Sequence, residues 1–237
     1  GEVYHAPNLP GWDHIPLKRL LEAELNGYVQ VENDANAAAM GEYLFGAGKG
    51  ARSMVCLTLG TGVGGGIILE GKLWRGTTYV AGEIGHMIIE REGPLCGCGN
   101  RGCLEALASA TGLIARVQSR AEKEKASFEL RELVEKGVDI TPKLLYQEAQ
   151  KGDVFCKSIL AETGTYLGIG LTNVIHVLNP EVIVLSGGLI GAGSFLLEAA
   201  LAEVQRRVFP WAAQGTRILV GKLGDDAGVL GAAALVL

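Results

Sequence analysis

The sequence predicts an α/β fold, and three observations predict it. Residues 17–45 read as helix, short β-prone segment, helix, the alternation of α/β proteins. A β-branched run at 181–185 breaks at Ser186-Gly187-Gly188 before a further helical pattern, a strand–glycine–helix turn. The 237 residues are 48% hydrophobic and 20% charged, enough for one large domain or two small ones with a buried core, and too apolar for a disordered chain.

Taken in order, residues 1–12 are loop-like, with Pro7, Asn8, Pro10 and Gly11 close together. Leu17, Leu20, Leu21 and Leu25 predict a helix that Gly27 ends. Residues 28–32 are β-prone, Asn33-Asp34 breaks the pattern, and 35–45 is an alanine-rich helix closed by Gly46. Residues 53–59 predict a strand, 60–66 a glycine turn, and 67–74 further strand with a tight reversal at Glu70-Gly71. A cysteine-rich loop follows, then helices over 104–120 and 128–137. Thr141-Pro142 starts another helix, and Asp153 caps a long one that stops before Pro180. Gly164, Gly168 and Gly170 within it predict close packing against a neighbour. A helix from about 194 to 208 follows, then a strand at 217–220 and a final alanine-rich helix capped by Asp225 or Asp226.

The formal net charge of −5 gives no basic surface for nucleic acid, yet leaves room for phosphate, which backbone amides can bind. No apolar run reaches the roughly 18–20 residues of a membrane span, and no signal-peptide pattern opens the chain. Five cysteines, three of them bunched, fit a reducing cytoplasm better than a secreted disulfide framework. The opening Gly1-Glu2-Val3-Tyr4 has no initiator methionine, as expected of a fragment or trimmed chain.

Four constellations can carry chemistry. His86, Cys96, Cys98 and Cys103 can close a tetrahedral Zn²⁺ site, with Gly97, Gly99 and Gly102 letting the backbone wrap the ion. The bland alternative is three unrelated thiols and a surface histidine. Cys56 and Cys156 lie on apolar elements as core residues. The run from Gly60 to Gly66 contains G-x-G-x-x-G, but a strand follows where the dinucleotide fingerprint needs a helix. It is a β-turn-β loop whose amides and Thr61 hydroxyl could face phosphate, or a plain glycine hairpin. Ser186-Gly187-Gly188 is a ligand-binding turn or simply a corner. Asp34 is either a helix cap or a general base for a substrate hydroxyl. Glu83 and Glu105 flank the cysteine loop and suit a polyhydroxyl ligand, or are surface charges.

Residues Val31-Glu32-Asn33-Asp34-Ala35-Asn36-Ala37-Ala38, the Leu57–Gly66 run, Gly82-Glu83-Ile84-Gly85-His86 and the run from Cys96 to Glu105, in this order, resemble the ROK family of repressors, open-reading-frame proteins and sugar kinases. The resemblance is nearest to bacterial ATP-dependent glucokinases and extends from Pro7 to the C-terminus. It implies an actin-like (ribonuclease H-like) two-domain ATPase fold with an inserted zinc loop at 82–105. It implies phosphorylation of a hexose, glucose favoured, at the 6-hydroxyl, with ATP and Mg²⁺ and with Asp34 as the base. Asn33, Asp34, Glu83, His86 and Glu105 would bind the sugar, with Asn8 as a weaker contact. Thr61 and Gly62 would lie by the ATP phosphates, and Gly187 and Gly188 by the adenosine. His86 would serve zinc with one ring nitrogen and sugar with the other, and the zinc would be structural. A cytoplasmic homodimer is also implied.

The family's opening hairpin carries an Asp-x-Gly-Gly-Thr motif that handles phosphate and Mg²⁺, and these 237 residues contain none. The expectation is therefore an incomplete small domain made of residues 1–50 and 227–237, beside a large domain at 51–226. Such a chain is expected to bind ATP poorly and to turn over little by itself. The alternative within the family is a sugar-responsive transcriptional repressor whose DNA-binding N-terminus lies outside this chain; a non-catalytic zinc-stabilised binding module is a third reading.

Overall fold

The computed structural model describes residues 1–5, 9–124, 126–137 and 139–236. The chain opens with a small antiparallel pair, β1 (Val3–His5) and β2 (Asp13–Ile15), where the sequence predicts loop over 1–12. Helix α1 (Leu17–Leu25) ends at Asn26, in the left-handed region at φ 48°, one residue before the predicted Gly27. It buries none of its residues; Leu20 is 51% and Leu25 66% exposed. The β-prone residues 28–32 form no strand. A strand needs a neighbour to take its amides, and none lies beside them among the described residues. Val29 N donates instead to the Glu22 carboxylate at 3.2 Å.

Helix α2 (Asp34–Leu44) leads into the sheet. Strand β3 (Met54–Leu59) pairs antiparallel with β4 (Val63–Leu69), so the glycine turn is only residues 60–62 and Gly64, Gly65 and Gly66 lie in the strand. Small residues there let α2 lie close: a Cβ on Gly66 would come within 2.4 Å of Ala39 Cβ. Glu70 and Gly71, both at positive φ, reverse the chain into β5 (Lys72–Leu73).

The helix expected over 104–120 is two, α3 (Leu104–Ala108) and α4 (Ala110–Arg120). Ser109 adopts an extended backbone and its side chain accepts from Gly112 N, so it caps the second helix by ending the first. Helices α5 (Phe128–Glu135), α6 (Pro142–Lys151) and α7 (Val154–Leu178) follow, with Thr141 and Asp153 as the side-chain caps the sequence predicts. Strand β6 (Val182–Ser186), helix α8 (Ser194–Arg207), short α9 (Pro210–Ala213), strand β7 (Arg217–Val220) and α10 (Ala227–Ala234) complete the chain. Asp226 precedes α10 without a side-chain cap, because it already has a helical backbone inside a 3₁₀ turn.

The sheet order is β5-β4-β3-β6-β7, with β3, β6 and β7 parallel. Strand alternation divides the core. Val55, Leu57, Leu59, Ile183 and Leu185 face the larger cluster, which takes in Leu104, Leu113, Leu167 and Leu171 from α3, α4 and α7. Met54, Cys56, Val182 and Val184 face Ala39 of α2 in the smaller one. Each fully buried aliphatic side chain contributes roughly 1.5–3 kcal/mol. Cys56 and Cys156 are both fully buried core residues, as predicted.

Helices α2 and α10 meet backbone to backbone; a Cβ on Gly231 would lie 1.7 Å from Ala37 O. The fully buried Glu42 locks this pair to the sheet. Its carboxylate accepts from Ala47 N at 2.8 Å, Leu223 N at 2.9 Å and Lys222 N at 3.2 Å. Those amides supply the compensation that a buried carboxylate at a helix C-terminus requires.

Candidate active site

The parallel register places Thr58 beside Ser186, so the turns after β3 and β6 emerge side by side. Carboxyl ends of parallel strands are where α/β sheets bind ligands. A cavity of about 640 Å³ lies there, lined by Asn33, Asp34, Thr61, Gly62, Glu83, His86, Glu105 and Gly187 among others. The structure thus brings together eight of the residues singled out from sequence. Gly188 is not among the lining residues; it begins a 3₁₀ turn, Gly188–Ala192. Asn8 lies outside the described residues.

One wall is the start of α2. Asn33 is the cap, accepting from Asn36 N at 3.1 Å. Asp34 is the first helical residue; its Oδ1 accepts from Ala35 N at 2.8 Å, and its other oxygen makes no hydrogen bond among the described residues. The capping role considered for Asp34 therefore falls to Asn33. Behind them stands a brace that sequence reasoning missed. Arg75 Nε lies 2.6 Å from Glu32 Oε2, while Glu32 Oε1 accepts from Asn33 N at 3.1 Å and Asn36 Nδ2 at 3.0 Å. Nothing local to the sequence links residues 43 apart.

The other wall is the irregular segment 82–105. A 3₁₀ turn, Ile84–His86, presents His86, with Glu83 just before it. Isolated bridges Ile88–Cys103 and Leu95–Arg101 fold the rest into narrow reversals. His86 Nδ1 lies 3.7 Å from Cys96 Sγ, and Cys98 Sγ 3.7 Å from Cys103 Sγ. All four donor atoms of His86, Cys96, Cys98 and Cys103 fall within 4.8 Å of one another. Tetrahedral Zn²⁺ with bonds of about 2.0–2.3 Å sets ligand-to-ligand edges of roughly 3.3–3.8 Å; the two 3.7 Å pairs match that spacing, and the set as a whole needs only small side-chain shifts to close on an ion. Burial pushes the Cys103 thiol up to about 12 and raises Cys96, while the Asn100 backbone amide lowers Cys98. The other ring nitrogen of His86, Nε2, lies 3.8 Å from Glu83 Oε2, and both residues line the cavity.

Glu105, in the first turn of α3, joins the wall to the floor. Its Oε2 accepts from Val63 N at 3.0 Å, and its Oε1 lies 3.6 Å from Cys96 Sγ. A Cβ on Gly62 would lie 2.3 Å from Glu105 Oε2, so glycine is needed for this approach. Half-buried Arg116 fixes α3 from behind, donating to Leu107 O at 2.8 Å and to Thr163 at 2.7 Å. On the floor, Gly60 N donates to Gly62 O at 3.0 Å, while the Thr61 and Gly62 amides find no acceptor among the described residues. Successive unengaged amides in a glycine turn suit an anion.

A mixed sheet with helices on both faces, and a cleft at the strands' carboxyl ends combining a carboxylate, an amide-rich turn and a polar wall, makes this an α/β protein with a polar ligand-binding cleft. Comparison with known proteins makes this specific. The ROK family profile matches residues 1–237. A glucokinase from Halalkalibacterium halodurans is 43% identical over 237 residues, all of this chain and 71% of that protein. A xylose repressor from Caldicellulosiruptor bescii is 35% identical over 238 residues, all of this chain and 59% of that protein. A ROK family glucokinase from Streptomyces griseus, solved in complex with glucose and AMPPNP, superposes with a TM-score of 0.84 at 35% identity, covering 99% of this chain and 76% of that one. The chain belongs to the ROK family and has its actin-like ATPase fold. Among the described residues, no helix is long and apolar enough to cross a membrane.

Proposed function

We propose that this chain forms the catalytic cleft of an ATP-dependent hexose kinase, with glucose the favoured substrate and the 6-hydroxyl the acceptor. The carrying observation is that Asp34, with one oxygen unengaged, shares a single cavity with the amide turn at 60–62 and with Glu83, His86 and Glu105. Its similarity to glucokinases supports the same reading.

In this reading Asn33, Glu83, His86 and Glu105 accept and donate hydrogen bonds to ring hydroxyls. Asp34 takes the proton of the attacking hydroxyl at its free oxygen. The Thr61 and Gly62 amides hold the transferring phosphate end of ATP, and Gly187 and Gly188 border the nucleoside. Phosphoryl transfer needs positioning, charge stabilisation and a base, and these residues supply positioning and the base. Mg²⁺ would neutralise phosphate charge; Zn²⁺ on His86, Cys96, Cys98 and Cys103 would be a structural clamp that aims His86 and Glu83 at the sugar. A cytoplasmic homodimer, with residues 51–226 as the large domain and 1–50 with 227–237 in the small one, completes the proposal.

Similarity to xylose repressors supports a second reading, a sugar-responsive repressor. A sensor has no chemical use for a base or a phosphate turn. A screen of ATP-dependent phosphorylation across glucose, N-acetylmannosamine and N-acetylglucosamine with the intact protein separates the two. Turnover with one hexose supports the kinase; sugar binding with no turnover on any of them supports the repressor.

A further inference from the structure

The polar wall residues explain how hydroxyls could be read, but a pyranose also has apolar C–H faces. One side chain on the cavity suits them and has no other evident task. Tyr79 is the only aromatic carbocycle among the described lining residues. It is 75% exposed, and its hydroxyl makes no hydrogen bond among the described residues. It also holds φ at 63°, a left-handed conformation that is an outlier for a bulky residue.

Tyr79 is not on a loose loop. Ala81 N donates to Arg75 O at 3.0 Å, closing the loop at its base. Arg75 is in turn held by Glu32, the brace behind Asn33 and Asp34. Four residues after Tyr79 comes Glu83. The strained ring is thus carried on a closed span between the two sugar-facing walls. Backbone strain in a bulky, exposed side chain persists where surrounding structure imposes it, and it clusters at ligand clamps.

We infer that Tyr79 is a sugar-binding platform whose ring stacks on the C–H face of the bound hexose. This rests on the hexose reading above. The ring sets affinity for the sugar and takes no part in moving the proton or phosphoryl group.

The test is calorimetric binding of D-glucose, and separately of a nonhydrolysable ATP analogue, to the intact protein as wild type, Tyr79→Gly and Tyr79→Phe, together with their melting temperatures. Tyr79→Gly is expected to raise the glucose Kd roughly three- to tenfold, the range aromatic packing is worth. It should leave the nucleotide Kd unchanged and raise Tm by about 2–4 °C through relief of the left-handed strain. Tyr79→Phe keeps the platform and the strain, and should match the wild type in all three. An unchanged glucose Kd in Tyr79→Gly overturns the inference. So does weaker glucose binding with a lowered Tm, which marks a structural role, or a loss confined to the nucleotide. Absence of glucose binding by the wild type contradicts the hexose reading itself, a failure read before any variant is made.

Discussion

The two walls of the cavity are built in opposite ways. The Asp34 wall is the first turn of a regular helix, capped by Asn33, braced by Glu32 and Arg75, and backed by a backbone-to-backbone contact with α10. The Glu83–His86 wall has one 3₁₀ turn, two isolated bridges and four clustered metal-ligand atoms. Secondary structure positions a side chain through many weak, distributed bonds. An irregular loop with little core of its own needs a crosslink. The same cavity should therefore respond differently when each wall is disturbed.

The largest expected effect falls on chemistry at the helical wall. Asp34→Asn removes the proposed base while keeping the shape and Asn33's cap, so kcat in a coupled assay should fall about 10²- to 10⁴-fold. The glucose Kd should move only a few-fold. Equal losses in both would mean that Asp34 binds rather than abstracts. Next comes the support of that wall. Glu42→Ala leaves three amides without the buried carboxylate they donate to, and a loss on the order of 3 kcal/mol is expected in urea unfolding. A change under 0.5 kcal/mol would contradict the clamp.

Arg116→Met tests the joint between the walls. It removes the anchors to Leu107 O and Thr163 and should raise the glucose KM through Glu105 more than it lowers kcat. An effect on kcat alone would break that link. The smallest effect lies outside the cavity, where no wall is involved. Arg206 and then Arg207 hold the Glu203 carboxyl down at about 2. A depressed carboxyl stabilises the fold above its unfolded pKa, near 4.3, and that contribution fades as pH falls towards 2. Glu203→Gln should therefore cost stability at pH 7 and little at pH 2.5, with site properties untouched.

The contrast also explains what the sequence disclosed. The helical wall was legible because periodicity is local: α2 lies where composition and spacing predict it, although Asn33 and not Asp34 caps it, and elsewhere the Thr141 and Asp153 caps lie where predicted. The cysteine set was legible through residue type. Failures came where a distant partner decides. Residues 28–32 have β-forming side chains but no neighbouring strand among the described residues, and Gly64–Gly66 form strand because β3 and α2 demand small residues there. Ser109 splits a helix that periodicity alone would continue. The Arg75–Glu32 brace and Tyr79 had no local signal, since their meaning depends on a contact across the fold and on a backbone angle.

The claim that one wall is held by secondary structure and the other by a metal crosslink is tested most directly by glucose calorimetry before and after metal removal. Far-UV circular dichroism serves as the control, and Zn²⁺ readdition closes the cycle. The expected result is about one Zn²⁺ bound per chain, a glucose Kd raised roughly tenfold or more on stripping, helical signal retained, and recovery with Zn²⁺. Protein purified without metal that binds glucose with unimpaired affinity would contradict it.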